Sequence, residues 1–378
     1  MPTSPPSEQQ QNLQDRHFMA VALRLAERGL GRVWPNPAVG CVLVLDGRIV
    51  GRGWTQPGGR PHAEVEALRR AGEAALGATA YVSLEPCAHY GRTPPCTMAL
   101  LQAGVRRVVV ATLDPDARVD GRGVEQLRQA GVEVSLGVGR AEAEAINAGF
   151  FLRVRAGRPL VTLKVATSLD GMIATRAGES QWITGDLARA RGHLLRARHD
   201  AIMIGSGTAL ADDPSLTCRL TGLEDRSPVR VVLDRQVRLS PDSKLATSAS
   251  NVPTWLFTGQ SATPSALAGL HERGIDTVAV GLDSMGRLDI AEVLSALAER
   301  GITRVLVEGG ASLAASFLRA RLVDRLAWFR APKLIGGDGR PAVGELGIDA
   351  ISDALVAEML DSKPLAQDRA ERYIFRVG

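Results

Sequence analysis

The chain has 378 residues, 45% of them hydrophobic and 23% charged, and a formal net charge of +4. That length calls for two or three domains, each able to bury its own core, and the composition is that of a soluble globular protein. The basic residues are scattered rather than run together, which argues against a nucleic-acid surface and suits phosphorylated small molecules equally well.

The opening MPTSPPSEQQQNLQDR is polar and rich in Pro, Ser and Gln. It has no apolar h-region, so it does not read as a secretory signal, and residues 1–14 are expected to be a disordered tail. No apolar run approaches the length of a membrane span. A cytoplasmic, reducing compartment is expected, which disfavours a structural disulfide.

DRHFMAVALRLAERG then has helical spacing and ends at Gly29. AVGCVLVL and RIVGRGW flank Asp46-Gly47, a strong hairpin signal. HAEVEALRRAG reads as helix, ATAYVSL as strand, CTMALLQAG as helix and VRRVVVAT as strand, before a further helix, VEQLRQAG, and strand, VEVSLGV. This αββαβαβαβ order implies a sheet layered with helices. A first domain over residues 15–155 and a second over 156–378 are expected, with the linker around RVRAGRP, residues 153–159, where charge, Gly and Pro coincide.

The second half restarts with the strand PLVTLKVA and continues with the helix DLARARGHLLRARH. Strands follow at AIMIG, VRVVLD and TWLFTG, then the helix IAEVLSALAERG, the strand RVLVEGG and the helix ASLAASFLRA. This is a second α/β domain.

Of four cysteines, two share the stretch VSLEPCAHYGRTPPCT. PHAEVEAL places His62 and Glu64 two apart at a helix start, and EPC places Cys87 after Pro86. A zinc deaminase carries H-x-E followed by P-C-x-x-C; here the H-x-E and the P-C are present, but eight residues separate Cys87 from Cys96. One imidazole and two thiolates bind Zn²⁺ and leave a fourth position for water, whose pKa the metal lowers. Glu64, not a ligand, would carry the proton from water to ring nitrogen and then to departing ammonia. The bland alternatives are a His62 helix cap, a solvated Glu64 and buried thiols. A structural zinc site needs a fourth protein ligand, and only His89 is ready, since Cys41 reads as core and Cys218 lies in the other half.

PHAEVEAL, SLEPCAHYGRTPPC and PNPAVGCV (residues 35–42) together resemble the deaminase half of the bifunctional deaminase-reductase family of riboflavin biosynthesis, in which a G-R-T-P-P insert separates the zinc cysteines. The resemblance implies a cytidine-deaminase-like three-layer α/β/α sandwich, with substrate contacts from Asn36 and His89. Locally, Asn36 reads equally as a turn residue between prolines.

VTLKVATSLDGMIA, GESQWITG, IGSGTALADDPSLTCR and VEGGASLAASFL resemble that family's reductase half, which is dihydrofolate-reductase-like. By this resemblance Ala166, Trp182, Thr208, Asp212 and the run Gly310, Ala311, Ser312, Leu313, Ala314, Ala315 and Ser316 would line an NADPH site. Ser180, Arg196, Leu216, Arg219 and Glu308 would hold the sugar-phosphate substrate. The forked donors of Arg196 and Arg219 suit a phosphate; Trp182 could instead be core. Gly309-Gly310 and Gly205-Ser206-Gly207-Thr208 each follow a strand and open a helix, which suits a phosphate but is equally a tight turn. Lys164 stands among apolar neighbours, where an unpaired charge is costly, so it is expected to face the pocket and contact substrate.

What the resemblance implies is a cytoplasmic enzyme of two consecutive steps, acting on a small phosphorylated pyrimidine with Zn²⁺ and NADPH, without nucleic-acid or membrane partners, and as a homo-oligomer. A zinc deaminase of another nucleobase or nucleoside, with an unassigned second domain, is the alternative. It predicts the short P-C-x-x-C spacing, and aromatics make up only 4% of the chain, too few for stacking platforms.

Overall fold

The computed structural model describes residues 7–375. The chain forms two compact units, the first ending at Ala156 and the second beginning at Gly157. Among the described residues no helix is long and apolar enough to cross a membrane.

The first unit runs α1 (Glu8–Ala26), β1 (Gly40–Leu45), β2 (Arg48–Trp54), α2 (Ala63–Ala71), β3 (Thr79–Val82), α3 (Cys96–Gln102), β4 (Arg107–Val110), α4 (Arg122–Gln129), β5 (Glu133–Leu136) and α5 (Arg140–Ala156). Its sheet has the order β2-β1-β3-β4-β5. β1 pairs antiparallel with β2 and β3, and β3, β4 and β5 are parallel. Asp46 and Gly47 turn the hairpin with φ of 49° and 72°, the left-handed pair that a two-residue turn demands.

Alternation along β1 shows how the layers arise. Cys41 and Leu43 pack with Ala63 and Ala67 of α2, Leu100 of α3 and Leu127 of α4. Val42 and Val44 point the other way, onto Phe18, Met19 and Ala22 of α1 and Ala143 of α5. Both faces of the sheet are therefore covered, giving the three-layer α/β/α sandwich. Cys41 is core, as its apolar neighbours imply.

Two expectations need correction. The tail expected through residue 14 is helical from Glu8, because Ser7 and Gln10 form a capping box: Gln10 N–H donates to Ser7 Oγ at 3.3 Å and Ser7 N–H to Gln10 Oε1 at 3.0 Å. Residues 1–6 of that tail lie outside the described residues. The stretch 153–159 is not all linker either, since α5 continues through Ala156 and the helix gives way at Gly157, φ 64°. α5 is absent from the sequence reading because its buried positions include Asn147 and Gly149, which break any apolar stripe.

The second unit contains β6 (Leu160–Thr167), β7 (Met172–Ala174), α6 (Asp186–Ala197), β8 (Ala201–Gly205), α7 (Ser206–Asp212), β9 (Val229–Leu233), α8 (Lys244–Thr247), β10 (Thr254–Gly259), α9 (Pro264–Glu272) and β11 (Asp276–Val280). After these come α10 (Ile290–Glu299), β12 (Arg304–Val307), α11 (Ala311–Arg319), β13 (Arg325–Arg330), β14 (Arg340–Pro341), β15 (Glu358–Leu365) and β16 (Asp368–Ile374). The main sheet is ordered β11-β10-β9-β8-β12-β6-β13-β16-β15. β6, β8 to β13 are parallel neighbours, and β16 and β15 extend the sheet antiparallel. The chain builds outward from β8 to β11, then returns to insert β12 between β8 and β6. That reversal places a crevice beyond the carboxyl ends of β8 and β12, where open α/β sheets bind ligands.

Candidate functional site

In the first unit, His62 occupies the N-cap position of α2 but makes no side-chain cap. Its ring turns instead to the sulfurs: Nδ1 lies 3.3 Å from Cys96 Sγ and 3.7 Å from Cys87 Sγ. One ligand atom from each of His62, Cys87 and Cys96 lies within 4.8 Å of the other two. Cys96 opens α3, and its N–H donates to Cys87 Sγ at 3.3 Å. The insert between the cysteines thus loops out and returns. Two glycines let α2 approach the sheet closely. A Cβ on Gly53 would stand 2.0 Å from the Ala63 carbonyl, and one on Gly51 2.3 Å from that of Ala67.

Glu64 is 3% exposed. Burial pushes its carboxyl up to about 7, with the His62 charge working against the shift. The hydrogen bond from Cys96 holds the Cys87 thiol down at about 4, and the same contact together with burial pushes Cys96 up. His62 is raised by its hydrogen bond to Cys87. One imidazole, two sulfurs and no fourth protein ligand among the described residues match a zinc site with an open position.

His62, Glu64 and Cys87 line a cavity of about 490 Å³ that also takes in Asn36 and His89, a size suited to a small ligand. His89 Nδ1 is buried without a protein partner, and Asn36 Nδ2 donates to the Gly59 carbonyl at 3.3 Å. The loop carrying Asn36 is anchored by Asn147 of α5, which pairs with both backbone groups of Ala38 at 2.9 and 3.0 Å.

Sequence reading missed two residues here. Asp114 lies in the cavity wall beyond the carboxyl end of β4, and burial pushes it up to about 7. Its position after a strand was the available signal. Glu85 accepts backbone N–H groups from Asp114, Gly121, Gly123 and Val124 at 2.9–3.2 Å, fastening the 114–124 loop beside the cysteines. Its partners are 29–39 residues away, so no local pattern could reveal it.

In the second unit a cleft of about 880 Å³ opens at the strand reversal. Ser180, Thr208, Asp212, Glu308, Gly310, Ala311, Ser312, Leu313 and Ser316 line it. A Cβ on Gly205 or Gly207 would meet nothing within 4 Å, so the cradle wall there is open backbone. This glycine-walled crevice has room for a dinucleotide. Other expected residues stand elsewhere. Ala314 and Ala315 face the core, 0% and 1% exposed, and can offer only backbone. Ala166 packs beside Phe329. Leu216 sends its side chain into the core. Trp182 is no core residue; it is 59% exposed, with the Arg189 guanidinium 4.5 Å from its ring centroid.

Arg196 departs from its expected part. Its Nε and Nη2 donate to Glu308 Oε1 and Oε2 at 2.8 and 2.9 Å, and its Nη1 to the Thr217 carbonyl at 3.0 Å. Its fork is closed inside the protein, whereas Arg219 is exposed. Lys164 Nζ lies 3.7 Å from Glu308 Oε2, so its charge is paired as burial demands. Burial works to raise Glu308, but Arg196 and Lys164 outweigh it and leave the carboxyl at about 2.

Comparison with known proteins accords with this division. Residues 12–112 match the family described as cytidine and deoxycytidylate deaminase zinc-binding region, and residues 159–368 match the RibD C-terminal domain. The riboflavin biosynthesis protein RibD of Escherichia coli is 45% identical over 353 residues, 90% of this chain and 94% of that protein. That of Aquifex aeolicus is 41% identical over 94% of this chain and 96% of its own length. Among solved structures, Acinetobacter baumannii RibD superposes with a TM-score of 0.87 at 39% identity, covering 97% of this chain and all of that one. A Thermotoga maritima diaminohydroxyphosphoribosylaminopyrimidine deaminase/5-amino-6-(5-phosphoribosylamino)uracil reductase gives 0.84 at 35% identity with the same coverage.

Proposed function

The chain belongs to the RibD family, bifunctional deaminase-reductases of riboflavin biosynthesis, and from that premise we propose which residues carry each reaction. The first unit has the cytidine-deaminase-like fold and the second the dihydrofolate-reductase-like fold of the family.

The deamination substrate is 2,5-diamino-6-ribosylamino-4(3H)-pyrimidinone 5′-phosphate. Water adds at C2, the bond to the exocyclic amine breaks, ammonia leaves and a carbonyl remains. The observation that carries this assignment is the convergence of His62, Cys87 and Cys96 beside the buried Glu64. His62, Cys87 and Cys96 would hold zinc, which supplies a Lewis acid that lowers the pKa of a water. Glu64 takes one proton from the attacking water and passes it to the ring nitrogen, then takes the second from the hydroxyl now on C2 and gives it to the departing amine as the carbonyl forms. A carboxyl poised near neutrality is suited to both transfers. Asn36 and His89 orient the pyrimidine, and the unpartnered His89 Nδ1 supports that role.

In the second step the opened ribosyl carbon is reduced to a ribityl chain, giving 5-amino-6-ribitylaminouracil 5′-phosphate. NADPH would supply the hydride. Thr208, Asp212 and the backbone at Gly310–Ser316 line its cleft, while Ser180, Glu308 and Lys164 face the sugar and Arg219 the phosphate. Arg196 acts by holding Glu308. The four free cysteines support a reducing, cytoplasmic setting. Exposed Ile351 and Val356, at 94% and 83%, support self-association, which sedimentation velocity tests.

The test is a two-channel assay on purified protein with the diaminopyrimidine ribosyl phosphate. Ammonia release without NADPH, then substrate-dependent NADPH loss once it is added, is the expected order. No ammonia from zinc-loaded protein would overturn the assignment of the first site.

A further inference from the structure

In the second unit, the turn that ends in Arg219 is tied to α6 at three successive residues. Arg196 Nη1 donates to the Thr217 carbonyl at 3.0 Å. Cys218, 2% exposed, directs its thiol onto the His193 carbonyl at 3.5 Å. The Arg219 N–H donates to ring Nδ1 of His193 at 3.3 Å. His193 stands one turn before Arg196 on the same helix, so the two side chains grip neighbouring residues of one turn. Arg219 itself is exposed, which leaves its guanidinium open to a ligand.

Only the His193 tie is lost on gaining a proton. A backbone N–H needs a lone pair, so Nδ1 is unprotonated and the neutral ring carries its proton on Nε2. Burial, with the charges of Arg196 and Arg219, lowers His193 from its ordinary 6.5, while the Thr217 carbonyl and Glu308 work the other way. The buried Cys218 also borders it, and Lys164 of β6 reaches the same stretch of α6: its Cε would lie 3.9 Å from a Cβ on Gly192. With these neighbours the ring is neutral at neutral pH, and the bond to Arg219 stands.

We propose that His193 is a positioning residue of the reduction step, its ring nitrogen holding the Arg219 amide so that the guanidinium meets the substrate's phosphate. It acts through Arg219, so its effect falls on substrate binding and not on hydride transfer. The proposal rests on the reading of Arg219 as the phosphate residue and deepens it. When the ring gains a proton, Nδ1 turns from acceptor to donor, two N–H groups face each other, and the turn loosens.

The experiment is steady-state reduction of the preformed deaminated intermediate by the full-length, zinc-loaded protein at saturating NADPH, from about pH 5 to about pH 8. The wild type is compared with Arg219→Gln, His193→Leu and His193→Asn. Arg219→Gln should raise KM about tenfold or more at neutral pH, as loss of a charged hydrogen bond does. His193→Leu should raise it about three- to tenfold, with kcat within about twofold. His193→Asn, whose carbonyl oxygen takes the place of Nδ1 and does not titrate, should restore the neutral-pH value. In acid the wild-type KM should climb toward that of His193→Leu, beyond the climb that the substrate's own phosphate causes in His193→Asn. An unchanged KM in His193→Leu, a loss confined to kcat, or one acid profile shared by wild type and His193→Asn would overturn the proposal. If His193→Leu does not fold, the comparison of wild type with His193→Asn across pH decides alone. An unchanged KM in Arg219→Gln would instead overturn the phosphate reading, and the proposal with it.

Discussion

Arg196 and Glu308 face each other fork to fork, Nε to Oε1 at 2.8 Å and Nη2 to Oε2 at 2.9 Å, with side chains only 15% and 10% exposed. Removing one member of so buried a pair strands the other's charge. Arg196→Met should destabilise the second unit by about 3 kcal/mol and depress reduction, while ammonia release persists. Calorimetric melting paired with the two-channel assay checks both.

The same pair sets a pH dependence. Glu308 sits at about 2 in the fold against an ordinary value of 4.5. Because the folded value is the lower one, its contribution is fully present above about 4.5 and is lost as pH falls through about 2. A shift of that size is worth on the order of 3 kcal/mol. Urea unfolding across this acid range should show the decline in the wild type and a shallower one in Glu308→Gln. Identical slopes would mean that Glu308 is not the group responsible.

Glu64→Gln keeps the shape of the buried side chain and removes its ability to move a proton. Deamination should drop by about 10²- to 10⁴-fold, with zinc content unchanged by metal analysis. Undiminished ammonia release would sink the proton-transfer role.

Metal removal should separate the two halves. Chelation, or Cys87→Ser, should abolish zinc content and ammonia release together. Reduction of the preformed deaminated intermediate should continue. Loss of both activities after chelation would show instead that the metal supports the second unit.

Gly53→Ala tests the close seat of α2. The added methyl would lie 2.0 Å from the Ala63 carbonyl and 2.6 Å from the Ala67 nitrogen, backbone atoms that can yield only if the helix moves. A cost of about 1–3 kcal/mol is expected. Since α2 carries His62 at its start and Glu64 in its first turn, zinc affinity should fall as well. Thermal melts and zinc competition measure each effect.

Much of the first site was readable because its chemistry is carried by short, rigid spacings. H-x-E places His62 and Glu64 on one helix start, and P-C follows a strand that ATAYVSL announces. The hairpin at Asp46-Gly47 was equally plain, since few dipeptides adopt two left-handed residues cheaply. α5 was hidden by a polar and glycine-bearing buried face, and the start of α1 by a capping box inside a polar run.

The sequence by itself singled out the two α/β units, the trio of His62, Cys87 and Cys96 that the fold brings together, and the buried Glu64 beside them, because local periodicity and motif spacing encode those features directly. Only the tertiary structure decided how charges are spent. Arg196 looked like a phosphate ligand until Glu308, 112 residues away, was seen to occupy its fork. Asp234 ends the strand VRVVLD in the sequence, and only the fold puts its oxygen on the amides of Arg238 and Leu239. A side chain's charge is written in the sequence, but whether a ligand can use it depends on which partners the fold has already brought within hydrogen-bonding reach.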